Sequence, residues 1–136
     1  MKEQEIASLV RHRLEQAQTA LEDARYLLEG DRSPQGIVNR AYYAMFYAVL
    51  ALLQKIRKVP SKHTGAISLF DTEFVVKGEF PRELSKVLHK AFELRQVSDY
   101  TTLKHITKER AQETLNSATQ FVKAAKSYLG EFSEEE

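Results

Sequence analysis

The sequence predicts an all-α fold, an antiparallel up-and-down four-helix bundle with one additional short helix. Three observations point there. Four long stretches repeat apolar residues at three- and four-residue spacing. Glycines and prolines number only five and three in 136 residues, as long helices with short links require. One stretch, residues 37–53, is apolar almost all round, which suits a helix in the middle of a bundle.

That central stretch has three stripes at 3.6 residues per turn. Ile37, Ala41, Ala44, Met45, Ala48 and Leu52 make one apolar face. Tyr42, Phe46, Val49 and Leu53 make a second. Arg40, Tyr43 and Tyr47 share the third, polar stripe. The alanines let neighbouring helices approach, and the aromatics fill the gaps between them. Arg40 and the tyrosines interrupt the stretch, and it is short for a membrane span, so no membrane is expected. A charge on such a helix must find a partner or reach water, which singles out Arg40.

The other elements follow in chain order. Residues 3–29 read as a first helix, with Ile6, Val10, Leu14, Ala17, Leu21, Ala24 and Leu28 on one face and Gly30 as its stop. Ser33-Pro34 is a cap followed by proline at the first helical position, where the missing N–H costs nothing. The second helix runs from there to about Arg57, and its basic end suits the helix dipole. Residues 60–65 read as a loop, followed by a short third helix with Ile67, Phe70 and Phe74 inward. Pro81 opens a fourth helix whose apolar positions are Leu84, Val87, Leu88, Ala91 and Leu94. Arg95 and Ser98 continue that face as it turns polar, and residues 97–102 end the helix. Thr107 is the expected cap of a fifth helix, with Ala111, Leu115, Ala118, Val122, Ala125 and Leu129 inward and Gly130 at its end. Residues 1–130 make one domain on this reading, and residues 131–136 an acidic tail.

The composition excludes several classes of chemistry. With no cysteine there is no disulfide, zinc-thiolate site or thiol nucleophile. A net charge of +1 gives no bulk pull toward nucleic acid or membrane. Met1-Lys2-Glu3-Gln4-Glu5 lacks the apolar core of a signal peptide, so the expected location is cytoplasmic. There is no glycine-rich phosphate loop, no His-Glu-x-x-His and no Gly-x-Ser-x-Gly. The four histidines stand at no metal-ligand spacing, and neither a metal nor a cofactor is expected.

Two arginine-centred groups remain. Arg40, Tyr43 and Tyr47 could form an anion site, a guanidinium fork supplemented by two phenols. They could equally form a buried Arg–Tyr network, or Arg40 could pair with an acid such as Glu22. Arg95, Asp99 and Tyr100 could place an arginine and a polar partner at a cleft edge. They could equally be a helix-end ion pair with Tyr100 packed on the bundle. His63 could cap the third helix or line the same cleft. Neither group is a competent hydrolase by residue type. Arginine rarely moves protons, and an unperturbed phenol at about 10 is a poor base near neutrality.

The run from Asn39 to Leu53 resembles the signature helix of the HEPN domain, in the UPF0332 subfamily. The stretches from Lys62 to Phe70 and from Glu93 to Tyr100 resemble two further segments of that subfamily, a histidine-containing entry to the third helix and an Arg-x-x-x-Asp-Tyr run. The resemblance implies a helical bundle that commonly forms a homodimer. It also implies a frequent partner, a minimal nucleotidyltransferase, in a toxin–antitoxin or nucleotide-linked module. Many of these toxins are metal-independent ribonucleases with an Arg-x(4–6)-His motif at a dimer cleft. Here six residues separate Arg40 from Tyr47, and Arg95 is followed by Asp99 and Tyr100, with His105 too far along.

The resemblance leaves three functional expectations. The first is a module binding a nucleotide or a nucleotidyltransferase through Arg40, Tyr43, Tyr47, His63, Arg95, Asp99 and Tyr100. The second is a ribonuclease with an altered site, with Arg95 and Tyr100 as catalytic candidates. The third is a dimerisation scaffold without catalysis.

Overall fold

The computed structural model describes residues 2–100 and 106–130, and side chains only to Gln96 on the fourth helix. It is all-helical, with five α-helices and no strand among the described residues. They are α1 (Glu3–Glu29), α2 (Pro34–Lys55), α3 (His63–Phe70), α4 (Arg82–Tyr100) and α5 (Lys108–Leu129). A π-helical segment, Asp71–Val75, prolongs α3.

Helix α2 packs on α1, α3, α4 and α5, so it is the element the others share. Its first apolar face and most of its second are fully enclosed, with Ile37, Ala41, Tyr42, Ala44, Met45, Ala48, Val49, Leu52 and Leu53 all buried. Arg40, Tyr43, Phe46 and Tyr47 are half-buried on the remaining side. The α1 face predicted from spacing is buried through Ala24, with Ala20 added, and Leu28 is half-buried. The predicted α5 face is buried in full, joined by Thr114 and Phe121. Between α1 and α5, Lys126 donates to Gln18 at 2.8 Å. At one end of the molecule Lys108 pairs with Asp31 at 3.0 Å.

Helix α2 is 22 residues long, with mean hydropathy 1.3 over its most apolar window, so length and composition alone would allow it to cross a membrane. Residues 37–53 alone are short for a span and are interrupted by Arg40 and the tyrosines. In the structure 61% of the window is buried inside the molecule, as befits a core helix.

The helix ends differ from expectation in instructive ways. The left-handed residue after α1 is Asp31 at φ 56°, whereas Gly30 sits at φ −81°. Arg32 N–H then returns to the Leu27 carbonyl at 2.9 Å and closes the helix. Helix α2 stops at Lys55, two residues early, because Arg57 turns left-handed at φ 62° and Lys58 N–H bonds the Leu53 carbonyl at 3.0 Å. Helix α3 starts at His63, inside the predicted loop, and Val75 is helical. The backbone of α4 stays helical to Tyr100. Pro81 lies just before α4, and Thr107 caps α5, its hydroxyl accepting from Arg110 N–H at 3.0 Å. The predicted loop at residues 101–102 and the tail at 131–136 lie outside the described residues.

Ser33 holds the start of α2. Its hydroxyl accepts from Gly36 N–H at 3.0 Å, while its own backbone is left-handed at φ 37°. Ser33→Ala should lower stability by about 1 kcal/mol, because the acceptor is lost. Ser33→Gly should lower it less, because glycine adopts positive φ freely. Urea-denaturation midpoints report both, and identical midpoints for all three proteins would count against the cap.

Candidate functional site

Tyr42 is completely buried, yet it carries a phenol. Buried hydroxyls need a partner. The one found among the described residues is His63 Nδ1, 2.8 Å away. His63 is the first residue of α3, so this bond ties α3 to the middle of α2. Three rings of α2 fix the imidazole. Phe46 stacks on it with centroids 4.1 Å apart and planes within 2°. Tyr43 meets it edge to face at 5.6 Å and 88°, and Tyr42 lies 5.8 Å away.

Two guanidinium groups approach the same patch. Arg95 comes from α4, its guanidinium carbon 5.5 Å from the Tyr42 ring centroid and 5.2 Å from that of Tyr43. Arg40 comes from α2 itself and stands 5.1 Å from the Tyr43 centroid. Tyr43 therefore carries two cations over one ring, an arrangement that the negative face of an aromatic supports. Arg40 also donates from Nε and Nη2 to Asn39 Oδ1, both at 3.3 Å. No ion pair among the described residues involves Arg40. The pairing with Glu22 weighed from the sequence is not made, and Glu22 is exposed and accepts from Gln18 instead. One turn before Arg95, Phe92 packs on Tyr42 at 5.7 Å, which helps seat this part of α4.

The electrostatics follow from burial. Burial pushes the Tyr42 phenol well above its ordinary value, against the opposing pull of Arg95, so it keeps its proton at any physiological pH. Burial, then the charge of Arg95, hold the His63 imidazole below its usual value, so it is neutral at pH 7. Both groups are neutral at pH 7, and a neutral phenol can donate to or accept from an imidazole nitrogen. The buried Tyr42 O–H meets no other acceptor among the described residues, so its hydrogen is satisfied when it donates to Nδ1 and the imidazole proton sits on Nε2. His63 thus offers an N–H donor beside two guanidinium groups. The cluster thus gathers cationic and N–H donors from three helices, with no acid paired to Arg40 among the described residues.

The structure brings Arg40, Tyr43, His63 and Arg95 into one cluster, with Tyr47 at its edge, 5.8 Å from Tyr43 and 6.2 Å from Phe46. The side chains of Asp99 and Tyr100 lie outside the described residues, and so does His105. His89 sits elsewhere, with its Nε2 2.7 Å from Asp71, which also accepts from Ser85 at 2.7 Å. No group of three His, Asp or Glu side chains that could hold a metal ion occurs among the described residues. Sequence reasoning did not single out Tyr42, Phe46 or Phe92 for the site. A signal existed for Tyr42, since a phenol on an otherwise apolar face calls for a buried partner.

A model of the HEPN domain matches residues 10–128. A protein of Thermotoga maritima named as a UPF0332 protein is 38% identical over 108 residues, 79% of this chain and 81% of that protein. Two proteins of Methanocaldococcus jannaschii, both named as candidate toxins, are also similar. One is 38% identical over 92 residues, 68% of this chain and 63% of that protein. The other is 36% identical over 118 residues, 87% of each chain.

The titration of His63 can be read directly. Its folded-state value lies below 6.5, so unfolding takes up a proton as the pH drops beneath 6.5. The contribution to stability is complete above 6.5 and is lost as pH falls through the lowered folded value. Thermal melts from pH 8 down to about 5 should therefore be flatter for His63→Gln than for wild type. In NMR titrations Arg95→Met should raise the His63 midpoint only part of the way to 6.5, because burial, the larger cause, remains. An unchanged midpoint would place Arg95 too far from the ring to act on it.

Proposed function

This chain belongs to the HEPN domain family, with UPF0332 proteins among its relatives, and from that premise we propose that it is the toxin-like half of a two-component module. Its cluster of Arg40, Arg95 and His63 binds the phosphate of a nucleotide. The observation that carries this reading is the pair of guanidinium groups over one Tyr43 ring, beside a histidine whose Nδ1 is already occupied. A phosphate placed there receives charge-assisted hydrogen bonds from both arginines and one from His63 Nε2. The toxin side of the proposal draws on the names of the two Methanocaldococcus relatives.

The rest of the proposal concerns assembly. The helices form an antiparallel up-and-down bundle, a reading supported by the short links and by the packing of α1, α4 and α5 around α2. The protein acts in the cytoplasm as a homodimer, and its partner is a minimal nucleotidyltransferase.

A second reading, a metal-independent ribonuclease, is favoured by one specific observation. His63 is neutral at pH 7 and sits beside two arginines, as a proton acceptor for a ribose hydroxyl would. It requires the other tautomer, with the Nδ1 proton donated to the Tyr42 oxygen and Nε2 free to accept. The hydrogen bond in which Tyr42 donates works against that tautomer, so binding without turnover stands first.

Calorimetric titration with AMP and ATP tests the binding reading. Wild type should bind saturably. Arg40→Gln and Arg95→Gln should each weaken binding by about tenfold to a hundredfold, the size of one lost charge-assisted hydrogen bond. Absence of saturable binding by wild type would remove the basis of the proposal. Cleavage of single-stranded RNA that is lost in both His63→Ala and Arg95→Ala would move the ribonuclease reading ahead.

A further inference from the structure

Two side-chain bonds set the register between α1 and α5. Arg25 Nη2 donates to the Thr119 hydroxyl at 3.5 Å, and Lys126 Nζ donates to Gln18 Oε1 at 2.8 Å. From the first bond to the second, the register moves seven residues back along α1 and seven forward along α5. Seven residues make nearly two turns, so the next side chain on that stripe of α1 is Arg11. Its counterpart in this register is Ser133. Helix α5 stops short of that position, at Leu129, with Gly130 following at φ 50°.

Arg11 carries a charge and lacks an acceptor. The residue is half-buried, and its Nη1 is enclosed with no hydrogen-bond partner among the described residues. No ion pair among the described residues involves it. An enclosed guanidinium N–H without an acceptor is costly, and a carboxylate that reaches it removes the cost. The sequence after Gly130 holds such groups in Glu131, Glu134, Glu135 and Glu136. We infer that Arg11 is the docking site for residues 131–136 of this same chain, with Glu131 on the guanidinium, and that the segment closes the α1–α5 seam where α5 ends. The inference is independent of the phosphate reading, since neither Arg11 nor this segment belongs to the Tyr42 cluster.

Reach is the first argument. Seven helical residues rise about 10.5 Å, so Arg11 lies about that far past Lys126 along the seam. The helix from Lys126 to its cap at Gly130 covers about 6 Å of this span. About 4–5 Å remain, and one extended residue advances about 3.3–3.6 Å. Glu131 is therefore the acid that arrives at the level of Arg11.

Charge is the second argument. Lys126, in the last turn of α5, lies on the same seam through its bond to Gln18, so an acidic segment there meets two cations. Glu15 is the one acid within four residues of Arg11 on α1, and it is exposed and makes no ion pair with it. The last carbonyls of α5 are the competing acceptors. Arg11 Nη1 makes no bond to them. A carboxylate also accepts from a guanidinium in two parallel bonds, which a single carbonyl cannot do.

The test is nuclear magnetic resonance of the full chain, reading backbone order at residues 131–136 and the side-chain Nε–H signal of Arg11. In wild type the order parameter of Glu131 should stand above about 0.6, the level below which a backbone is flexible. Arg11→Gln should drop it below that level. Arg11→Lys should restore part of the order, because it keeps the charge and loses the fork. The quadruple variant Glu131→Gln, Glu134→Gln, Glu135→Gln, Glu136→Gln leaves every helix untouched. It should lower the order of the segment and shift the Arg11 signal, so it decides the matter even if Arg11→Gln fails to fold.

A segment as mobile in wild type as in the variants would overturn the inference. So would a segment that keeps its order in Arg11→Gln, which would assign it to other cations, such as Lys55 and Arg57 near the end of α2. An Arg11 signal that stays in place in the quadruple variant would likewise overturn it and return Arg11 to the carbonyls of α5.

Discussion

Tyr42 takes a hydroxyl to a place that water does not reach, and the rest of the site is arranged around its pairing. An unpaired buried polar group costs about 1–3 kcal/mol. The 2.8 Å bond to His63 removes that cost and fixes three things together. It holds the first residue of α3 against α2, it favours the Nε2 tautomer in which Nδ1 accepts, and it keeps the imidazole stacked on Phe46. Fold and site are therefore joined through one hydrogen bond, formed between residues 21 apart in the chain.

Two arginines near one another need a reason to stay there. Part of the reason is aromatic. The Tyr43 face attracts both guanidinium groups, and Arg95 also lies over Tyr42. Cation–π contacts of this kind contribute about 0.5–2 kcal/mol each, depending on how dry they are. That is enough to orient a side chain but leaves donor N–H groups to use. Asn39 takes two of the donors on Arg40, at 3.3 Å, a length that marks weak bonds. An anion with better geometry can displace them.

Much of the fold was legible in the sequence, for a physical reason. The inward positions of α1, α2 and α5 follow from local spacing, and spacing is a property of each helix alone. Ala111, Leu115, Ala118, Val122, Ala125 and Leu129 are all buried as their period requires. Helix ends were less legible because backbone choices there are nearly degenerate. Asp31 and Arg57 adopt left-handed conformations that spacing does not announce. The π-helical turn at Asp71–Val75 depends on how Phe70 and Phe74 pack with Phe80, Phe121 and Tyr128, which are distant in the chain. The site was legible only in pieces. The stripe of Arg40, Tyr43 and Tyr47 is local to one helix, so periodicity finds it. That His63 and Arg95 converge on the same tyrosines is a tertiary fact. Nothing within a turn of either residue reports it.

The same helix that forms the core also carries the site, and this limits how the site can move. Arg40, Tyr42, Tyr43, Phe46 and Tyr47 lie on α2, whose opposite side is packed without exposure. A site built on a buried helix is held more closely than one built on loops. The adjustable parts come from outside. His63 arrives with an eight-residue helix and Arg95 with α4, which packs less extensively on α2 than α1 does. Any ligand that draws Arg95 or His63 out of place must break the contacts each makes with Tyr42. A ligand at this cluster would thereby be coupled to the docking of α3 and α4 on the core, and one that strengthens those contacts would tighten both helices onto α2.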